Sequence, residues 1–280
     1  MSFLIAVYVN EGIVLASDRR TTYANTEING ENIIQRIGVH LTNSTDKTFV
    51  CPNGAGISTC GEASLLGKPI TGYIQDMIRT KICEDTSVEN IPQIILDYFS
   101  KFQEIPDTDF MVAGYDSLEN GEKYQVIFKL NIKNKQIERI DTTSQGASWD
   151  GETLTLTRLI QNVAVKHTDG TYAELPYENI LWEYFTLQDA VDFARYAVET
   201  TIKTMHFKNV IETVGGSVDI LVITPDKTMW LQKETLKWFM KLSTMRIRLE
   251  KYHYGKLVNQ LELVVKPLKS GVINMKTKDS

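Results

Sequence analysis

The chain has 280 residues, of which 42% are hydrophobic, and its formal net charge is −5 at pH 7. This length and hydrophobic fraction allow a substantial core, and they argue against a chain that is disordered throughout. The negative charge argues against nucleic-acid binding driven by the overall field of the protein, and no apolar run approaches the roughly 20 residues of a membrane-spanning helix.

The first part of the chain predicts a β-hairpin. Residues 3–9 and 12–17 are apolar runs on either side of a turn at Asn10-Glu11-Gly12. The polar residues 22–31 indicate a loop, and two further strands follow at residues 33–41 and 48–52.

Helices are predicted next, and then a second group of strands. Apolar spacing favours a helix over residues 62–80, interrupted or late-starting because it contains Gly67 and Pro69, and a helix over 87–102 with Ser87 as its cap. Three strands are predicted next, at residues 109–116, 123–132 and 135–142. Two helices over 152–165 and 187–205 and a final hairpin at 215–232 follow.

This order of elements predicts the fold class. Strand groups that alternate with helix pairs favour an α+β fold, a four-layer α/β/β/α sandwich of two antiparallel sheets flanked by helices. Residues 1–232 would form this single domain. Residues 233–280 would be a C-terminal extension, with a helical stretch and a short strand, packed on the same domain.

The cysteine pattern and the N-terminus indicate the compartment. Cys51, Cys60 and Cys83 are odd in number and lack the spacing of metal ligands, so we expect reduced thiols, no metal and no cofactor. Arg19 and Arg20 follow the first apolar run instead of preceding it, unlike the charges of a signal peptide. We therefore expect a soluble cytoplasmic protein that binds neither membranes nor nucleic acids.

Four segments together resemble the N-terminal-nucleophile hydrolases of the proteasome type. They are SFLIAVYVNEGIVLASDRRTT at the start, STCGEASLL before the first helix, the strand DFMVAGYD, and ETVGGSVDILVITPDK near the end. The resemblance covers about residues 2–232. In this family a nucleophile at the mature N-terminus leads into the first strand, so the resemblance implies that Ser2 is the nucleophile after removal of Met1.

The chemistry fits such a position. A serine hydroxyl is a weak nucleophile until a base takes its proton, and a free α-amine with a pKa near 7.7–8 is a base on the same residue. The resemblance further implies that Asp18 orients a nearby cation and that Arg20 maintains the local architecture. The family lysine aligns with Arg36, which would keep the positive charge but cannot release a proton.

The remaining site residues are also taken from the resemblance. The backbone amides of Cys60 and Gly61, at the entry to the first helix, would stabilise an oxyanion. Ser148, or Ser144 in another register, would be the accessory serine. The family's Asp-x-x-Ser before the Gly-Gly strand is missing, and Glu212 would substitute for it only with a shift.

These residues predict a serine-type amide or peptide hydrolase that acts as a self-assembling peptidase subunit. The resemblance implies a peptide or amide substrate, a homo-oligomeric ring and, as an open question, an ATPase partner. Three alternatives stay open. The chain would be a catalytically silent scaffold subunit, a small-molecule amidohydrolase with a pocket shaped by the aromatic insertion at residues 169–185, or a binding module that uses its basic tail and this insertion.

Overall fold

The computed structural model describes residues 2–29 and 32–234, and side chains are described for residues 2–23 and 40–234. The strands are β1 (Phe3–Val9), β2 (Gly12–Asp18), β3 (Thr21–Asn29), β4 (Asn32–Thr42), β5 (Thr48–Val50), β6 (Gly56–Gly61), β7 (Ser64–Leu65), β8 (Lys68–Pro69), β9 (Thr108–Ser117), β10 (Lys123–Asn131), β11 (Gln136–Arg139), β12 (Gly146–Gly151), β13 (Ala164–Lys166), β14 (Tyr172–Glu174), β15 (Val218–Ile223) and β16 (Thr228–Gln232). The helices are α1 (Ile70–Lys81), α2 (Ile91–Phe99), α3 (Leu154–Ile160) and α4 (Leu187–Phe207), with 3₁₀ turns at Val88–Asn90 and Trp182–Tyr184.

Ten of these strands form two five-stranded antiparallel sheets. The first sheet has the order β12-β1-β2-β15-β16, and the second has the order β11-β10-β9-β6-β5. The remaining strands form three two-stranded ribbons. The predicted combination of antiparallel sheets with helices in a mixed α/β fold is therefore confirmed.

Strand β1 lies at the centre of the core, because every one of its residues is buried. Side chains alternate between the two faces of a strand. Phe3, Ile5 and Val7 accordingly pack against α4, and Leu4 and Ala6 pack against apolar side chains of the second sheet. This double burial explains why β1 reads as an unbroken apolar run instead of an alternating one.

The helices cover these sheets with apolar stripes. Helix α4 contributes Ala190, Ala194 and Val198 to the core of the first sheet, and the capping box of Thr186 and Asp189 fixes its start. Helices α1 and α2 pack against the second sheet through a separate set of buried residues: Ile70, Ile74, Met77, Ile78, Ile91, Ile95 and Phe99. No helix within the described residues is long and apolar enough to cross a membrane.

The structure corrects three of the predicted elements. The polar segment predicted as a loop is β3, which pairs with β4 outside the main sheets and therefore needs no apolar face. Strand β12 was missed because its six residues include two glycines, although it borders β1. The predicted helix over residues 152–165 ends at Ile160, and β13 follows it.

The late start of α1 is confirmed, whereas Ser87 caps the 3₁₀ turn at Val88–Asn90 and the N-cap of α2 itself is Asn90. Helix α1 starts late, at Ile70, after the interrupting Gly67 and Pro69. Ser87 caps the turn before α2, where its hydroxyl accepts a hydrogen bond from the backbone N–H of Glu89. The helix and strand predicted for the C-terminal extension lie outside the described residues, and the boundary at residue 232 stays a prediction.

Candidate functional site

Ser2 lies immediately before β1, and only 6% of its surface is exposed. It lines a cavity together with Lys47 and the strand end at Cys60 and Gly61. The backbone carbonyl of Ser2 accepts a hydrogen bond of 2.8 Å from the N–H of Glu152, just beyond β12. The first sheet therefore holds the N-terminal segment in place from its edge strand. Met1 lies outside the described residues.

Asp18, at the end of β2, is fully buried next to the start of β1. Its carboxylate accepts backbone hydrogen bonds from Phe3 at 3.1 Å, Arg20 at 3.0 Å and Gly215 at 2.9 Å. A fourth donor is the ammonium of Lys47, with 2.7 Å between Nζ and Oδ1. These four donors compensate for the burial of the carboxylate and fix it beneath the start of β1.

Lys47 stands immediately before β5 and is 3% exposed. Its Nζ also donates to the backbone carbonyl of Arg20. Burial lowers the pKa of Lys47, because it disfavours the charged form, and the neighbouring Asp18 carboxylate opposes this shift. A lysine with a lowered pKa is a candidate acceptor for the proton of a nearby hydroxyl.

The prediction for Arg36 is affected by this finding. Arg36 lies in β4, and its side chain lies outside the part of the chain that the structure describes. The described cation that contacts Asp18 is Lys47, eleven positions further along the chain. The argument that excluded lysine-mediated proton transfer rested on Arg36, and it no longer holds.

The position of Lys47 was missed because residues 22–31 were read as a loop, and Arg36, in the strand that follows, was aligned with the family lysine. A ribbon from Thr21 to Thr42 carries the chain away from the sheets and back, so spacing from the N-terminus does not locate the next site residue. The sequence after the ribbon does carry a usable signal for Lys47. This residue directly precedes the short strand and turn that lead to Cys60 and Gly61.

The two arginines after Asp18 form separate ion pairs. Arg20 pairs with Glu212 through its guanidinium, and its Nε donates to the Asn43 side chain at 2.8 Å. The Nη1 of the buried Arg19 lies 2.7 Å from both Asp46 and Asp219. Glu212 thus supports Arg20 at the margin of the site, which agrees with an architectural role for Arg20.

Cys60 and Gly61 end β6, and this placement changes the argument for an oxyanion site. Helix α1 begins only at Ile70, so these amides are not at a helix entry and gain nothing from its dipole. Both residues line the cavity beside Ser2. Burial raises the pKa of the Cys60 thiol strongly, and the carboxylates of Asp150 and Asp109 raise it further, so Cys60 is a poor nucleophile.

Ser148 lies in β12, away from Ser2. The strand register pairs Ser148 with Ala6, whereas Gly151 lies opposite Phe3. Ala6, the partner of Ser148, is four positions from Ser2, and four positions along a strand correspond to about 13 Å. The register therefore does not bring Ser148 to the cavity, and Ser144, which precedes β12, lies further along in the same direction.

Gly151 fixes the local path of the chain beside Ser2. Its φ is +85°, and a Cβ at this position would lie 1.9 Å from the carbonyl oxygen of Ser2. We expect Gly151→Ala to displace Ser2 and to destabilise the fold by at least about 3 kcal/mol, more than the 1–2 kcal/mol of the left-handed backbone alone. Urea unfolding measures this difference.

Gly170 provides a matched control for this prediction. Its φ is +86°, and a Cβ there would meet no atom within 4 Å. Gly170→Ala should therefore show the backbone cost alone. Equal losses of stability in the two variants would contradict the steric argument for Gly151.

The aromatic insertion at residues 169–185 contributes no described residue to the cavity beside Ser2. Tyr172, Tyr177 and Tyr184 are instead exposed. The insertion therefore does not shape this cavity, and the interpretation as a small-molecule amidohydrolase loses the feature on which it depended.

Comparison with known proteins gives weak similarities of one kind. No family model matches the chain. Proteasome subunit beta type-9 from Oryzias latipes is 23% identical over 124 residues, which cover 44% of this chain and 52% of that protein. The chain thus matches about half the length of this curated relative, and the similarity points to the same proteasome-like family as the sequence motifs.

Two solved structures of Anbu from Hyphomicrobium sp. strain MC1 are also similar. One is 13% identical with a TM-score of 0.48, and the comparison covers 92% of this chain and 98% of that chain. The other, a Gly-1 mutant, is 13% identical with a TM-score of 0.49, with coverage of 94% and 100%.

Proposed function

We propose that this chain is an N-terminal-serine amide hydrolase of the proteasome superfamily that acts on peptides after removal of Met1. The observation that supports this most directly is the buried pair of Lys47 and Asp18, held 2.7 Å apart behind Ser2. In this proposal the helices and the two main sheets form the four-layer sandwich of the N-terminal-nucleophile fold, and the chain assembles into a homo-oligomeric ring in the cytoplasm.

The proposed reaction is acyl transfer. The Ser2 hydroxyl attacks the amide carbonyl and gives up its proton to a base. The C–N bond then breaks, the leaving amine takes up that proton, and the acyl group stays on Ser2 as an ester. Water hydrolyses this ester, which releases the acid and restores the Ser2 hydroxyl. Two groups are candidates for this base: the freed α-amine of Ser2 and the Lys47 amine, whose pKa is lowered by burial. Asp18 holds Lys47 by its carboxylate, and the amide of Gly61 is a candidate donor to the oxyanion.

The absence of the Asp-x-x-Ser motif supports the alternative of a silent scaffold subunit. In this chain Ile211 and Val214 occupy the corresponding positions, and Glu212 is engaged with Arg20. The alignment of Arg36 with the family lysine would also favour a silent subunit, but with Lys47 as the cation of the site this argument is lost. An ATPase partner stays a prediction.

Covalent labelling of Ser2 tests the proposal. The intact mass of protein from its native cell should show the loss of Met1, and a serine-directed electrophile should add one label per chain, which peptide mapping places on Ser2. Ser2→Ala should abolish the label. Ser64→Ala is the control, since Ser64 is an exposed serine outside the cavity, and it should label normally.

Two outcomes would contradict the proposal, and the first of them would favour the scaffold. A native chain that retains Met1 and takes up no label would contradict the hydrolase proposal. Labelling that persists in Ser2→Ala would remove Ser2 from the mechanism. Native mass spectrometry of the same sample tests the ring separately, because a monomer would contradict assembly but leave the chemistry untouched.

The rate of labelling should rise with pH. Lys47 and the α-amine accept a proton only in their neutral forms, and burial lowers the pKa of Lys47 below its usual range. The neutral fraction of Lys47 therefore grows as the pH increases through this lowered pKa. Rate constants for labelling across a pH series measure the effect, and a rate that falls with increasing pH would contradict a neutral base.

A further inference from the structure

Three side chains that carry metal-binding groups meet at one end of the space between the two main sheets. They are Cys60 on β6, Asp109 on β9 and Asp150 on β12, and one ligand atom of each lies within 4.8 Å of the others. Cys60 and Asp109 are directly opposite in the antiparallel pair of β6 and β9, so they share a face. Asp150 reaches the same point from the other sheet.

Each carboxylate keeps one oxygen available. Oδ1 of Asp109 accepts a hydrogen bond of 2.7 Å from Asn131, and Oδ1 of Asp150 accepts one of 2.7 Å from the N–H of Gly151. Among the described residues, Oδ2 of neither aspartate accepts a hydrogen bond. Lys129 is 3.8 Å from Oδ2 of Asp150, but its ammonium donates at 2.6 Å to the carbonyl of Trp149.

The Cys60 thiol supplies a second, independent observation. Cys60 is 4% exposed, and its sulfur has no hydrogen-bond partner among the described residues. A buried free cysteine ordinarily packs among apolar side chains. This sulfur instead faces two carboxylates, and all three groups could coordinate one bound cation.

The cluster also has a route to solvent. Asp109 and Asp150 are half-buried, and together with Lys129 and Asn131 they line an open cleft at this end of the sheets. An ion can enter through the cleft without passing the cavity beside Ser2. The closed side of the cluster is Cys60, which also lines that cavity.

We propose that Cys60, Asp109 and Asp150 bind one Zn²⁺ ion. Zinc accepts thiolate and carboxylate ligands together, and three protein ligands leave a fourth position for water. On binding, the Cys60 thiol releases its proton to solvent. The thiolate and the two carboxylates then supply three negative charges against the two positive charges of the ion, and the Lys129 ammonium lies 3.8 Å from Asp150. The site does not depend on the proposed hydrolase activity, since it needs neither Met1 removal nor a reactive Ser2.

Sequence spacing does not show this site. Cys60, Asp109 and Asp150 are separated by 49 and 41 residues, which is unlike the short ligand spacing of zinc motifs. Strand pairing and the facing of two sheets bring the three residues together. The expectation that the chain binds no metal was based on cysteine spacing alone.

Titration of the full-length, metal-free protein with Zn²⁺ in a calorimeter tests the proposal. We expect one ion per chain. Replacement of zinc by Co²⁺ should give thiolate-to-cobalt charge-transfer absorption in the near ultraviolet, which reports directly on a sulfur ligand. Cys60→Ser should lose this absorption and bind zinc at least about tenfold more weakly. Asp150→Asn should weaken binding and retain the absorption.

Cys83→Ser is the matched control, because Cys83 is the exposed cysteine and the one most accessible to added metal. It should bind as the unmodified chain does. Circular dichroism of each variant verifies that it is folded. Absence of binding by the unmodified chain would overturn the proposal. Zinc affinity in folded Cys60→Ser and Asp150→Asn that equals the affinity of the unmodified chain would also overturn it.

Discussion

Replacement of Lys47 by methionine is expected to reduce the rate of Ser2 labelling by about 100-fold or more. Methionine is close to lysine in length and is apolar, so it fills the buried space but neither accepts a proton nor carries a charge. Positioned proton transfer contributes about 10²–10⁴-fold to catalysis. The measurement is the second-order rate constant for the serine-directed electrophile, with circular dichroism as the check on folding.

Lys203→Met is the matched control for this substitution. The Lys203 side chain is 73% exposed on α4, where it pairs with Glu199 at 3.4 Å. Its replacement removes the same charge from the chain and should leave the rate of labelling unchanged. A similar loss in both variants would indicate an effect of net charge.

Arg36 provides the competing assignment. If the cation of the site were Arg36, Arg36→Ala would slow labelling and Lys47→Met would not. We expect the reverse, because Lys47 is the described residue that contacts Asp18. A result in favour of Arg36 would overturn the role given to Lys47 and restore the original alignment.

The sequence predicts the core of this fold well for a physical reason. Strands β1 and β2 are continuous apolar runs and helix α4 carries a long apolar stripe, and burial between layers imposes these patterns on any chain with this architecture. Strand β12 cannot be predicted from an apolar pattern in this way. It is short, carries glycine at both ends and lies at the edge of the first sheet, so its pairing with β1 leaves little trace in the sequence.

The site is predicted less completely than the core. Ser2 and Asp18 follow from the N-terminal segment because a tight hairpin fixes the distance between them along the chain. Cys60 was located from its own segment, STCGEASLL. Lys47 reaches the same cavity from beyond the β3–β4 ribbon, whose length is not constrained by the core. A residue brought in by such a ribbon cannot be located by counting from the N-terminus.

Ser148 illustrates the same limit in another form. The segment TTSQGASWDGE contains two serines, and nothing in its composition specifies the register of β12 relative to β1. The observed register places Gly151, and not a serine, opposite Phe3. Register depends on which residues face the core, and a short strand with few apolar side chains specifies it weakly.

Asp18→Ala is expected to cost about 3–5 kcal/mol of unfolding free energy, because it removes one partner of a buried ion pair. It also leaves the backbone N–H groups of Phe3, Arg20 and Gly215 without their acceptor. Lys47→Met should cost about 2 kcal/mol less, since Asp18 then keeps these three donors. Urea unfolding compares the two variants.

The exposed Asp226 offers a control, and Asp226→Ala should change stability by less than about 0.5 kcal/mol.

The pH dependence of the stability of Asp18→Ala gives a second test. Without Asp18, the main opposition to the effect of burial is lost, so the pKa of Lys47 falls further. The unfolded chain then binds more protons than the folded chain above this lowered pKa, and the stability of Asp18→Ala rises with pH until the lysine of the unfolded chain also loses its proton. Equal costs for Asp18→Ala and Lys47→Met would show that the ion pair, and not the three backbone donors, dominates the stability of this corner of the fold.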